Sequence, residues 1–212
     1  RFGSKTSEFY QRNIEIPFFN FYLKLKGTVH DIAEANIFFS GENEWKRFNE
    51  WPAKNVEHKN IFLGTAGKLT FANSTAKNIA YSEYISDPAH PVPYTEDVHL
   101  DRTREYMTDD QRFAGRRPDV LTFSTGILNE DITLAGPLVA DLMVSISTTD
   151  ADFVVKLIDV FPDDFKYDET VFGKGNGATY TMSGYQMLVR GEIMRGKFRN
   201  SFEKPEPFVT NK

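Results

Sequence analysis

The 212-residue chain carries a net charge of −5, no cysteine and an aromatic content of 14%, including 19 Phe. It therefore has no disulfide and no thiolate metal site, and its scattered Lys and Arg form no basic stripe for nucleic acid. No apolar stretch approaches the ~20 residues of a membrane-spanning helix, while the length suffices for one large β-rich domain, or one domain with a helical lead-in, that buries roughly 70% of its unfolded surface.

The sequence opens on Arg1-Phe2-Gly3, with no initiator Met and no signal-peptide pattern, so the chain is expected to begin inside a longer polypeptide. Ser7 to Leu25 reads as a helix, because Ile14, Phe18, Phe21, Tyr22 and Leu25 share one face. Thr6 is placed to cap it, Glu8 suits its first turn, and Gly27 is the stop. Pro17 should kink this helix or restart it at a first helical position. With so many aromatics, the helix either packs on the β domain or was cut from a larger core; the second is the preferred reading.

From Ala35 the period shortens. Asn36 to Ser40 and Trp45 to Phe48 flank the turn Gly41-Glu42-Asn43-Glu44 and read as a hairpin. Asn60 to Leu63 and Lys68 to Phe71 flank a Gly-bounded loop and read as a second. Ala72 to Ser82 is polar loop, and Glu83 to Ser86 is a candidate short strand. Asp87 to Pro93 holds three prolines and favours extended polyproline geometry. Pro88 to Arg117 reads as a long ordered excursion with a helical turn at Asp109 to Ala114. An excursion of this length in a compact domain is usually functional or docked on a neighbour.

A strong β pattern follows. Asp119 to Ser124, Ile132 to Ala135, Val139 to Ser147, Phe153 to Phe161, Tyr185 to Ile193 and Lys197 to Phe202 read as strands. In Val139 to Ser147, Ala140, Leu142, Val144 and Ile146 fall on one face. Phe153 to Phe161 is nearly continuous apolar, interrupted by Lys156 and Asp159, and suits a central strand covered on much of both faces. Short strands with turn signals between them argue for a sandwich or jelly roll.

The chain carries no Gly-x-Ser-x-Gly elbow and no His-Glu-x-x-His pair, and His30, His58, His90 and His99 have no nucleophile beside them in sequence. Gly173-Lys174-Gly175-Asn176-Gly177 is followed by a β-like run, so a mobile hairpin loop is favoured over a phosphate cradle. Asp150, Asp152, Asp163 and Asp164 crowd strand ends, where calcium is an alternative to ordinary turn residues. Asp159 lies in an apolar strand and is expected to have a partner or to face a wet rim. Arg102, Arg104, Arg112, Arg116 and Arg117 interleave with Asp101, Glu105, Asp109 and Asp110. A salt-bridge network is preferred there over an anion site. Trp45, Trp51, Tyr84 and Tyr94 are read as core or interface packing in preference to a sugar-stacking platform.

Several segments together resemble one family. They are Arg117-Pro118-Asp119-Val120-Leu121, Glu130-Asp131-Ile132-Thr133-Leu134-Ala135-Gly136-Pro137, Thr149 through Val160, Tyr185 through Glu192 and Arg195-Gly196-Lys197-Phe198-Arg199. Upstream, Asp87-Pro88-Ala89, Pro91-Val92-Pro93-Tyr94, Asp110-Gln111-Arg112-Phe113 and Pro17-Phe18-Phe19 with Tyr22-Leu23-Lys24 continue the pattern. The combination resembles the C-terminal jelly-roll domain of X-Pro dipeptidyl-peptidases, α-amino-acid ester hydrolases, glutaryl-7-aminocephalosporanic acid acylase-like proteins and cocaine esterase.

The resemblance implies a mainly β chain. A galactose-binding-like jelly-roll sandwich over residues 28–212 follows one helix, residues 1–27, left from an α/β-hydrolase domain. It implies a serine hydrolase whose Ser, Asp and His lie upstream, so no residue here is carried over as catalytic, cofactor-binding or metal-binding, and no cofactor is expected. The implied partner is the catalytic domain of the same polypeptide, with a homo-oligomer left open and neither nucleic acid nor membrane expected. The absent cysteine leaves the compartment open, and the resemblance favours a periplasmic or secreted bacterial setting. The family's sandwich continues past the region matching Lys204 to Val209, so late strands are expected to be missing. A proteolytic remnant, an artificially shortened chain and a fragment completed by another chain would each fit. The alternative function is a free-standing carbohydrate-binding module.

Overall fold

A computed structural model describes residues 4–28, 32–72, 80–101, 103, 105–165 and 182–210. The Gly173–Gly177 loop, His30, Arg102 and Arg104 lie outside the described residues. The chain divides into two compact units. One gathers Arg1–Asn60, Leu128–Leu138 and Tyr167–Tyr180; the other gathers Ile61–Ile127, Val139–Lys166 and Thr181–Lys212.

The first unit opens with the expected helix, built in three parts. These are α1 (Thr6–Tyr10), a π-helical turn (Gln11–Glu15) and α2 (Ile16–Lys24). Pro17 stands in the first turn of α2. Its ring would crowd the carbonyl of a regular turn before it, and a wider π turn at that point is a recognised accommodation. The capping expectation is corrected at both ends. Lys5 holds the N-cap position and no side chain caps the helix, so Thr6 is already helical. Leu25 takes the left-handed conformation (φ 53°), and its N–H reaches the Phe21 carbonyl at 3.0 Å. The stop therefore comes two residues before Gly27.

The hairpin β1 (Ala35–Phe39) and β2 (Glu44–Phe48) follows, in the register Ala35↔Phe48 and Phe38↔Trp45. Asn43 closes its turn at φ 58°, a conformation that Asn tolerates. Phe9 stacks on Trp45 at 4.9 Å, and Phe38 meets the same indole at 5.6 Å. The start of the helix is thus packed on this hairpin, while Phe18, Phe19, Tyr22 and Leu23 of α2 stay exposed.

In the second unit, β3 (Phe62–Leu63) and β4 (Leu69–Thr70) form the short second hairpin. The long ladder is β5 (Asp152–Val160) with β6 (Gln186–Arg195), antiparallel. Leu157 faces Arg190 whereas Ile158 faces Leu188, so Val189 is the extra residue of a β-bulge. Gly196 follows β6 where no side chain fits, since a Cβ there would lie 2.3 Å from the Phe208 ring.

The predicted strands beyond these ladders need correction. Asp119 to Ser124 contributes one parallel bridge, Lys68 with Ser124. Residues 83–86, 132–135 and 139–147 join no ladder among the described residues, and 197–202 starts with a 3₁₀ turn at Gly196–Phe198. β5 is not a covered central strand: among the described residues it pairs with β6 alone, and Val154, Val155 and Val160 are exposed. Among the described residues the fold shown is thus a helix followed by three two-stranded antiparallel sheets. The reason is geometric. Alternation specifies a face, but a ladder also needs a neighbour's N–H and C=O groups in register. In Val139–Ser147 the expected inward residues Leu142 and Val144 are themselves exposed, at 39% and 37%, though less so than Met143 between them at 101%.

Candidate functional site

The densest polar construction in the chain holds the excursion Pro88–Arg117 against the β5–β6 ladder. It contains the buried side chains of Gln111, Ala114 and Tyr185. Gln111 is 1% exposed and precedes the short helix α3 (Arg112–Gly115), close to the helical turn expected at Asp109 to Ala114. Its backbone N–H donates to the Gln186 carbonyl at 3.0 Å. Its side-chain Nε2 donates to the Asp109 carbonyl at 2.9 Å, and its Oε1 accepts from Lys156 Nζ at 2.7 Å. A buried amide with all these groups engaged avoids the desolvation cost of an unpaired one.

Asp110 extends the contact. Its carboxylate accepts from the Arg112 N–H at 3.1 Å, from Arg112 Nε at 2.6 Å and from the Gln186 N–H at 3.3 Å. Burial pushes its pKa up, but the hydrogen bonds from Arg112 and Gln186 outweigh that and hold it below the usual carboxylate range. The Tyr185 hydroxyl donates to the Thr108 carbonyl. Arg117 grips Asp119 through both nitrogens, at 2.8 and 2.7 Å, and also donates to the His90 carbonyl at 3.0 Å, which ties the end of the excursion to its start. Arg112 and Arg117 thus stand in local ion pairs with Asp110 and Asp119, and no wider network is seen among the described residues. Arg116 stands apart, exposed on a cleft of about 210 Å³ that it shares with Glu96, Asp110, Arg112 and Phe113. Two carboxylates, Glu96 and Asp110, accompany the two arginines there.

The other candidates resolve as follows. Asp150 accepts from the Lys197 N–H at 3.0 Å and pairs with its ammonium at 3.3 Å, and Asp152 takes both Arg195 nitrogens at 2.7 and 2.9 Å. These carboxylates are engaged by cations of the chain, and no group of three His, Cys, Asp or Glu fit to hold a metal occurs among the described residues. Asp159 is exposed, consistent with a wet rim. Trp45 contacts Phe9 and Phe38 beside a cleft of about 360 Å³, and Trp51 lies against Phe48 at 5.5 Å, while Trp51, Tyr84 and Tyr94 are exposed. His90 does have a carboxylate partner, Asp87, at 2.8 Å. The pair closes a local turn, with the Ala89 N–H also on Asp87, and it is exposed.

Sequence reasoning missed Gln111, Lys156 and Tyr185. The signal present was Lys156 as an interruption in an apolar strand, where a charge requires a partner.

Residues 26–211 match the family described as the X-Pro dipeptidyl-peptidase C-terminal non-catalytic domain. The chain belongs to this family. As such a non-catalytic C-terminal domain it is similar in structure to an aminopeptidase from the marine sediment archaeon Thaumarchaeota archaeon, with a TM-score of 0.83 and 34% identity over 99% of this chain and 33% of that one. It is also similar to an α-amino acid ester hydrolase, with a TM-score of 0.79 and 32% identity over 99% of this chain and 34% of that one. Cocaine esterase from Rhodococcus sp. (strain MB1 Bresler) is 32% identical over 149 residues, 66% of this chain and 26% of that protein. The domain thus spans between a quarter and a third of the proteins it matches.

Proposed function

We propose that this domain is the accessory part of a serine hydrolase acting by acyl transfer on esters or amides, of the dipeptidyl-peptidase or amino-acid ester hydrolase type. It braces the catalytic domain of the same polypeptide and shapes the substrate pocket. The observation that carries the reading is the family match over residues 26–211, which names a non-catalytic domain. Residues 1–27 are then the last helix of an α/β-hydrolase domain, and residues 28–212 are a jelly-roll sandwich. The structural likeness spans 99% of the chain while the family match begins at residue 26, which supports a boundary near that point. The alternation of apolar residues in Val139–Ser147 supports the sandwich. The excursion is the proposed contact surface: it is clasped at both ends, yet Val98 and Leu100 stand fully exposed on it.

The reacting serine, its histidine base and the oxyanion donors lie in the rest of the polypeptide. A serine-directed phosphonate probe tests this assignment. The domain alone should take no label and hydrolyse no activated amino-acid ester, whereas the longer polypeptide should label at a serine outside residues 1–212. A labelled serine within these residues would overturn the proposal. A glycan array should stay blank; binding there would favour a free-standing carbohydrate-binding module.

A further inference from the structure

Lys156 sits mid-strand in β5, half-buried, where Leu157 and Ile158 follow it and Val154 and Val155 precede it. A lysine adds nothing to the ladder at that point, and its pKa is pulled down by burial, against the pull of Asp109. A methionine of similar length would cover the same apolar surface without that penalty. What the lysine does contribute is a hydrogen bond to the one polar atom of Gln111 that nothing else in the clasp engages, with its ammonium 5.5 Å from the Phe113 ring. Gln111 in turn carries the segment from Thr108 to Gly115, because its carbonyl accepts the N–H groups of Ala114 and Gly115 at 3.1 and 3.2 Å.

We propose that Lys156, acting through Gln111, is a positioning residue of the hydrolase: it fixes on β5 the Pro88–Arg117 excursion, the proposed contact surface through which the domain walls the substrate pocket. The inference rests on that reading of the excursion. Neither residue touches substrate. Their effect is on where the wall stands, so it falls on substrate binding and not on the bond-making step.

The test uses the full polypeptide, an activated α-amino-acid ester and amide hydrogen exchange. Lys156→Met should leave β5–β6 protection unchanged, raise exchange across residues 108–117 by about tenfold or more, and raise KM about fivefold or more with kcat within about twofold. Lys156→Arg, which keeps a cationic donor for Gln111 Oε1, should retain most of both the protection and the KM. Unchanged exchange at 108–117 in Lys156→Met would overturn the clasp. Raised exchange with unmoved KM would overturn the positioning role while leaving the accessory-domain reading intact. Absence of ester turnover in the unsubstituted polypeptide would overturn the proposed function, and this inference with it.

Discussion

The clasp around Gln111 and the exposed face of α2 are opposites. At the clasp, a chain stretch of low hydropathy is buried because its own partners are present: Lys156, Tyr185 and Gln186 meet Thr108, Asp110 and Gln111. On α2, Phe18, Phe19, Tyr22 and Leu23 are apolar yet stand in solvent. Hydropathy alone would sort these two regions the wrong way round. Burial follows the availability of partners, and the partners of α2 are, on the proposed function, supplied by the catalytic domain. Polar groups can be satisfied by a few directed contacts, whereas an apolar face needs area.

The sharpest way to break this comparison is Leu23→Ala. The side chain is 73% exposed, so in the domain alone the melting free energy should move by less than about 0.5 kcal/mol. In the full polypeptide, where the catalytic domain should cover it, the cost should reach about 2–3 kcal/mol. Equal effects in the two settings, read by denaturant unfolding, would show that nothing covers α2.

Next in size is Tyr185→Phe. The ring, against Phe161 at 6.3 Å, is retained and only the hydroxyl on the Thr108 carbonyl is lost. About 1 kcal/mol of protection should disappear from residues 108–111. That loss should be the same with and without the catalytic domain, because the clasp is made within this chain.

These contrasts also explain what was legible in the sequence. The hairpins at residues 35–48 and 62–70 could be read because each is closed by a short local turn. β5 and β6 could be read as apolar runs, but the bulge at Val189 carries no local mark. Val139–Ser147 alternates in sequence, yet Leu142 and Val144 remain exposed and the segment joins no ladder among the described residues. The clasp was illegible because its partners lie far apart: Lys156 is 45 residues from Gln111, and Gln186 is 76 from Asp110. Polar residues in a charged, loop-like stretch look the same whether or not a distant strand meets them.

A smaller effect comes from acid. The folded Asp110 carboxyl titrates below its unfolded value of about 3.9, so the ionised form is the one the clasp favours. Its stabilisation is complete above that unfolded value and is lost as the pH falls through the folded one. Exchange protection at residues 110–115, corrected for intrinsic rates, should therefore weaken severalfold between pH 5 and 3, taken as about one unit either side of that value. Asp110→Asn should flatten the profile. The exposed α2 face holds no such carboxylate, and its protection should not follow the same curve.

The smallest expected effect lies at the end of α2. Leu25 holds φ 53° and is 87% exposed, so its side chain gains little from burial to offset the left-handed backbone. That conformation costs a branched residue about 1–2 kcal/mol. Glycine removes the steric cost but loses about 0.5–1 kcal/mol more on ordering. The balance for Leu25→Gly in the domain alone is a gain of a few tenths of a kcal/mol to about 1, with the same Phe21 carbonyl still accepting the residue-25 N–H. In the full polypeptide the sign should reverse if the catalytic domain buries this leucine along with Leu23, because the lost contact area then exceeds the backbone relief. A stabilised helix end in isolation and a destabilised one in the whole protein, measured by thermal unfolding of the same substitution, would place the domain boundary beyond Leu25; stabilisation in both would leave Leu25 outside the interface.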